Sequence, residues 1–337
     1  MDNIYPGEKW QTTSPEEAGF DPRQLAQAKR LLVDHAGNRA YRVGIVRKGM
    51  LVAEWNYVID RSARFQLASA AKSVFSCMLG IAVAEGKIES ADAKVVDYYP
   101  EAMDVPEGEG PKSGRHVYEK DRDITFRQLI SNTSGYMKPG EIPGSTFHYQ
   151  TFGMNILAHA ISKTYGLYNS DNPRSSPGLK QLIDEKIGRP IGARWNYHWE
   201  NFALHSKAKM NIFGYYPGII SNAMDMARLG WLWLNRGRWE KRQVVPASWI
   251  DEATRVAPDI REHGPPEDQL YGHGFWTNAA GKLWPGLPTD GYAAAGAGNH
   301  VIVVFPSQEL VIVLNPGLWG NQDERHALLL KYIIESC

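Results

Sequence analysis

The sequence predicts an α+β fold: one antiparallel sheet formed from both termini and flanked by helices, with a mainly helical region inserted between them. Three observations carry this. Two β-type runs near the start, 41–46 and 51–55, are joined by the turn Lys48-Gly49-Met50. Two more near the end, 300–305 and 310–314, are joined by Pro306-Ser307-Gln308-Glu309. Between the pairs, the apolar pattern is helical or broken by loops. Strands joined by such short turns must run antiparallel, because a parallel pair needs a long crossover. The division expected is a sheet domain from 1–88 and 215–337, with 89–214 inserted. A chain of 337 residues, 43% hydrophobic, can bury a core of that size.

In order, Ser14-Pro15-Glu16-Glu17 has the pattern of a helix start. Residues 22–33 follow as a helix with Leu25, Ala28, Leu31 and Leu32 on one face. After the first strand pair, an almost wholly apolar run, 77–84, stops at Gly86 and reads as a helix buried on most sides. Residues 107–123 are charged and glycine-bearing, hence loop. Residues 124–130 predict a short helix capped by Thr125, and Asn132-Thr133-Ser134-Gly135 a turn. Further helices are expected at 154–164, 178–187, 222–234, 248–254 and 323–335, with an exposed loop at 168–177.

Chemistry concentrates at Ser69-Ala70-Ala71-Lys72, at the start of the buried helix. Residues three apart share a helix face. A serine hydroxyl needs a base to become a nucleophile, and a lysine serves only when its pKa is lowered. An apolar surround and the positive helix N-terminus both lower it. The terminal N–H groups suit an oxyanion. A second match, Ser206-Lys207-Ala208-Lys209, lies in a polar stretch without an apolar run behind it and is read as a decoy. The bland reading of Ser69 is a helix-capping serine, with Lys72 a solvated charge.

Composition narrows the alternatives. Lysine plus arginine and aspartate plus glutamate are both 37, so nothing favours a nucleic acid or an anionic membrane as partner. No stretch is long and apolar enough for a membrane span. The two cysteines, one in the buried helix and one at the end, do not suggest a disulfide. No zinc pattern and no dinucleotide fingerprint is present, so neither metal nor cofactor is expected. No serine stands in a Gly-x-Ser-x-Gly elbow. The start lacks a signal-peptide pattern, and the expectation is a cytoplasmic enzyme; a secreted chain with its leader removed would begin the same way. Oligomeric state is not readable.

With this layout, the chain resembles the serine β-lactamase and penicillin-binding-protein superfamily, on the branch of class C β-lactamases, β-lactamase-like esterases and 6-aminohexanoate-dimer hydrolases. Ser69-Ala70-Ala71-Lys72 matches its first motif. The segments from Glu85-Gly86-Lys87-Ile88 to Tyr99-Pro100, and Leu129-Ile130-Ser131-Asn132-Thr133-Ser134-Gly135, are also similar. Its second motif, Tyr-x-Asn after a Pro-Gly turn, corresponds to Pro143-Gly144 followed by Tyr149-Gln150-Thr151, with threonine in place of asparagine. Its third motif, Lys-Thr-Gly or a His or Trp variant on a strand, corresponds to Tyr292-Ala293-Ala294-Ala295-Gly296-Ala297-Gly298-Asn299, where the cation is missing.

The resemblance implies a serine hydrolase working through an acyl-enzyme on small esters or amides. Ser69 is the nucleophile, Lys72 and Tyr149 share the proton traffic, and the N–H groups of Ser69 and Gly296 hold the oxyanion. Thr151, Tyr292, Ala295 and Asn299 are the expected substrate contacts; His148 and His273 are candidates for the vicinity. With Ala293 and Ala295 set where the family carries Lys-x-Gly, neutral substrates are expected to be preferred. The alternative is an arginine from elsewhere, such as Arg194 or Arg261, supplying the charge. The rival functions are a β-lactamase or D-Ala-D-Ala carboxypeptidase, and a non-catalytic descendant that binds a ligand or partner.

Overall fold

The computed structural model describes residues 4–200 and 208–337, excluding the side chain of Glu200. The start of the chain, residues 1–3, and Ser206 of the second Ser-x-x-Lys lie outside the described residues. The strands are β1 (Tyr41–Arg47), β2 (Met50–Tyr57), β3 (Phe65–Gln66), β4 (Asn196–Glu200), β5 (Tyr216–Ser221), β6 (Arg238–Trp239), β7 (Arg242–Gln243), β8 (Trp276–Thr277), β9 (Tyr292–Gly296), β10 (His300–Phe305) and β11 (Leu310–Leu314).

The fold is α+β. The main sheet has the order β2-β1-β11-β10-β9-β8 and is antiparallel throughout. The N-terminal hairpin turns at Lys48 and Gly49, both with positive φ (50° and 80°), which matches the right-handed twist of the strands it joins. It meets the C-terminal hairpin through β1 and β11, in a register from Val43↔Leu314 to Arg47↔Leu310. The two ends of the chain therefore form one sheet.

Both faces of this sheet are covered, which is why its central strands are apolar without interruption. Alternation along each strand sends side chains to opposite sides. Val301, Val303, Ile312 and Leu314 join the terminal helices Pro22–Ala36 and Glu324–Glu335 in one cluster. Ile302, Val304, Val311 and Val313 join the helix Ala223–Leu234 in the other. Each such buried side chain contributes about 1.5–3 kcal/mol.

A second sheet, β3-β5-β4, lies between the main sheet's ends in the chain and was not foreseen. Its strand β5 contains Pro217 and Gly218, which signal a turn in isolation. β4 falls in the stretch expected to be mainly helical, and β3 is too short for any periodicity. The expected helix at 178–187 is divided into Leu179–Ile183 and a wider-coiled turn, Asp184–Gly188. The helix Pro258–His263 was also not anticipated. Among the described residues, no helix is long and apolar enough to cross a membrane, and no cluster of residues could hold a metal ion.

Candidate active site

The Ser69 turn is fixed from two sides. β3 pairs with β5, and Leu67 N–H donates to Ile219 O at 2.8 Å, so the chain enters the turn on a rigid edge. Ser69 lies in a single tight turn, Ala68–Ala70, immediately before the helix Ala71–Ala84. Ala68 adopts a left-handed φ of 48°, an unfavourable conformation for alanine that the surrounding packing must hold. From the other side comes the end of β9. A Cβ added to Gly296 would lie 2.0 Å from Leu67 O and 3.0 Å from Ser69 N. Only a residue with no side chain lets this strand approach so closely.

Behind the turn, every residue from Ala71 to Ala82 is buried. The few polar groups are answered: Ser73 Oγ donates to Gly274 O at 2.6 Å, and Trp249 Nε1 donates to Ser76 Oγ at 3.2 Å. Lys72 is carried into this environment with 1% of its surface exposed. Its Nζ is 2.7 Å from Ser69 Oγ and 4.7 Å from the centre of the Tyr149 ring. No carboxylate among the described residues pairs with it. Burial therefore pulls its ammonium down to about 7. The lysine of the second Ser-x-x-Lys is the opposite case. Lys209 is ion-paired with Asp104 at 3.2 Å and Glu109 at 3.3 Å, and the Asp104 hydrogen bond pushes its pKa up.

Tyr149 is held by the turn after the helix Phe126–Ser131. Asn132, in the left-handed conformation, accepts from His148 N–H on its backbone oxygen at 2.9 Å and from Gln150 N–H on Oδ1 at 3.0 Å. Those two bonds flank Tyr149. Its ring stacks on Trp276, with centres 5.5 Å apart, and meets Tyr271 edge-on at 5.7 Å. Burial pushes the phenol up; a hydrogen bond with Ser69 opposes that shift.

Ser69 and Lys72 open into a cavity of about 580 Å³, shared with Phe65, Thr151, Ala297 and His300. A larger cavity, about 970 Å³, lies elsewhere, between Trp10, Arg194 and Arg228. It contains no nucleophile beside a base; Arg64 there faces Asp225, and Arg228 donates to the carbonyls of Ile191, Gly7 and Glu8. The paired Ser69 and Lys72 lie in the smaller one.

The remaining candidates are distributed by strand alternation. Tyr292 is buried in the core, edge-on to Phe275 at 5.8 Å. Ala295 faces the outer cluster, away from the cavity. Asn299 is a turn residue, with φ 60°, that accepts from Gly317 N–H at 2.8 Å. The residue that fits against the Ser69 turn is Gly296, not Ala295, and Ala297 is the one that reaches the cavity. The third-motif register used above is therefore displaced by one residue. Ala294, two before Gly296, is buried and apolar, so this strand still presents no cation. His273 packs behind the helix Ala71–Ala84 against Trp249, 3.1 Å from Arg127, while His148 stands beside Tyr149. Arg194 lines the larger cavity, and Arg261 lines neither.

His300, the first residue of β10, carries no local signal that marks it for the site. It is 6% exposed, lines the cavity and stacks on Phe65 with centres 5.6 Å apart. The buried Arg42 donates from Nη2 to Asn315 Oδ1 at 2.7 Å. That leaves Asn315 Nδ2 to donate to His300 Nδ1, at 3.2 Å, and places the ring proton on Nε2. Burial, then the Arg42 charge, pull His300 down to about 4, so the ring is neutral at pH 7. Next to Nε2 is Gly298, whose missing Cβ would lie 2.9 Å away. A neutral N–H donor thus stands at the cavity wall, held by a residue 258 positions earlier in the chain than its own.

A buried Ser-Lys-Tyr cluster beside a sheet edge, on an antiparallel sheet closed by both termini, defines the β-lactamase-like class of serine hydrolase folds. The chain belongs to the beta-lactamase family, whose model matches residues 30–329. It is 36% identical over 110 residues to beta-lactamase-like protein 1 of Dictyostelium discoideum, a match covering 30% of this chain and 17% of that protein. Solved structures show the same fold. A penicillin-binding protein homologue from Caulobacter crescentus superposes with a TM-score of 0.67 at 15% identity, over 95% of this chain and 99% of that one. EstCE1, described as a hydrolase with promiscuous acyltransferase activity, gives 0.63 at 14% identity, over 92% and 97%.

Proposed function

We propose that the protein is a serine hydrolase acting through a Ser69 acyl-enzyme on small esters or amides. The observation that carries this reading is the Lys72 amine, buried, 2.7 Å from Ser69 Oγ and lowered to about 7. A substantial fraction of such a lysine is unprotonated at neutral pH and accepts the serine proton as Oγ attacks the carbonyl carbon. The carbonyl oxygen becomes an oxyanion, for which Ser69 and the end of β9 at Gly296 and Ala297 offer backbone N–H groups. Tyr149, its phenol held protonated by burial, relays the proton from Lys72 to the departing alcohol or amine. Water then attacks the Ser69 ester, losing its proton to the same pair, and the acid is released with Ser69 restored.

The test is fluorophosphonate labelling and p-nitrophenyl ester hydrolysis by Ser69→Ala and Ser206→Ala. The expected outcome is loss of both in the first variant and retention in the second. Full turnover by Ser69→Ala removes the proposal.

A further inference from the structure

Beyond Tyr149 lies a second cavity, a lobe of about 560 Å³ beside the first. Thr151 lines both lobes, and Tyr149, against Lys72 on one side, is a wall of the second. This lobe is bordered by Lys112, Arg115, Lys138 and His148, with Phe152 as an apolar wall.

The charges around it do not balance. Lys138 Nζ is 2.9 Å from both oxygens of Glu141, and the same carboxylate meets His148 Nδ1 at 3.0 Å. Lys120, behind Lys138, is paired with Asp121 at 2.7 Å. The two carboxylates are thereby used. Among the described residues, Lys112 has the Phe152 ring, 5.9 Å away, and Arg115 the carbonyl of Met137, at 3.4 Å. Neither forms an ion pair among the described residues. Lys138 registers the excess: burial pulls its pKa down, and Arg115 and Lys120 add to that pull against the Glu141 bonds. A concave, partly apolar surface with surplus positive charge raises the local concentration of anions and favours an anionic ligand.

We propose that this lobe binds a carboxylate-class anion on the substrate, so that the esters or amides turned over are acidic ones. This rests on the acyl-enzyme reading above. It reverses the preference for neutral substrates inferred from the missing third-motif cation: the charge is supplied by the 112–115 loop, on the Tyr149 side of the nucleophile, instead of by β9.

Two measurements test it separately from the chemistry. The first compares kcat/KM for p-nitrophenyl esters of monomethyl glutarate and of glutarate itself, which differ only in a free acyl carboxylate, and for phenyl acetate against 3-acetoxybenzoate, where the carboxylate is on the leaving group. In one of the two pairs the acid should be favoured by about tenfold or more at low salt, the scale of partly exposed ion pairs acting together. That ratio should fall to near one in Lys112→Ala/Arg115→Ala and in high salt. Equal rates within both pairs, or a ratio unchanged in the double variant, overturn the proposal. The second titrates glutarate and its dimethyl ester into Ser69→Ala by calorimetry, where no turnover is needed. Tighter binding of the diacid, lost in the triple variant, supports the lobe even if no ester is hydrolysed; equal or weaker binding overturns it. Absence of labelling at Ser69 would remove the acyl-enzyme reading and leave this second result standing.

Discussion

Lys72 Nζ lies 2.7 Å from Ser69 Oγ with no carboxylate beside it among the described residues, so a serine, a tyrosine ring and apolar walls surround this amine. In a structural ion pair the lysine would be held charged; here it is held ready to be neutral.

The first prediction concerns pH. Below pH 7, where Lys72 takes up its proton, kcat/KM should fall by about tenfold per unit. Lys72→Met should lower kcat by at least ~10²-fold. The same variant should be more stable at neutral pH. The folded value, about 7, lies below the usual 10.5, so as pH drops from 10.5 to 7 the unfolded chain gains a proton the folded one refuses, and stability is lost. Removing the amine restores about 2–5 kcal/mol of it. Urea denaturation together with a pH–rate profile checks this. A profile flat from pH 5 to 8 would show that Lys72 is not the base.

Gly296→Ala should disable the site without touching a side chain of the catalytic cluster. Its Cβ would meet Leu67 O at 2.0 Å, so β9 must retreat from the Ser69 turn. Overpacking of this kind costs about 1–3 kcal/mol, and loss of oxyanion contacts about 10²-fold or more in kcat. Thermal melting and ester hydrolysis read the two effects. Unchanged turnover would separate β9 from the oxyanion.

His300 should act as a neutral donor. His300→Phe removes its N–H and should cost about tenfold in kcat/KM, as for a lost neutral hydrogen bond, while His300→Gln restores most of it. Nitrogen NMR should show the proton on Nε2 at pH 7, and its release from that state in Asn315→Ala. A proton on Nδ1 in the native protein would contradict the Arg42–Asn315 relay.

Acid should weaken the fold through histidines kept neutral. His159, His300 and His326 are each lowered by burial to about 4 from 6.5. Between those values the unfolded chain binds protons that the folded one does not, so stability falls as pH drops from 6.5 to 4. His326 is the clearest case, fully buried with neither ring nitrogen bonded among the described residues. It should account for up to about 3 kcal/mol of that loss. His326→Leu should flatten the urea midpoint between pH 6.5 and 4; an unchanged slope would assign the loss to other groups.

The sheet made from both termini and the Ser69-to-Lys72 spacing at the head of an apolar helix are legible in the chain alone. The apolar runs at 300–305 and 310–314, with their short turn, have one way to pair, and the same holds at 41–46 and 51–55. Likewise, the largely apolar helix behind Ser69 favours a buried Lys72 over a solvated one, and the second Ser-x-x-Lys, in its polar stretch, has no such run. Such features depend on neighbours within a few residues, where periodicity and turn chemistry are legible. The surroundings of Ser69 depend on the packing of distant segments. β5 has turn residues in its strand and is extended because β3 and β4 pair with it. Tyr292 and Ala295 lie on the same strand as Gly296, yet whether each faces core or cavity depends on register, and a shift of one residue exchanges the faces. His300 becomes a directed donor only because Arg42, from the opposite end of the chain, orients Asn315. Lys112 and Arg115 belong to a charged loop in sequence, and only the fold places them with Lys138 round the lobe beside Tyr149. Contacts of that kind join segments far apart in sequence, and nothing local in either partner encodes the other.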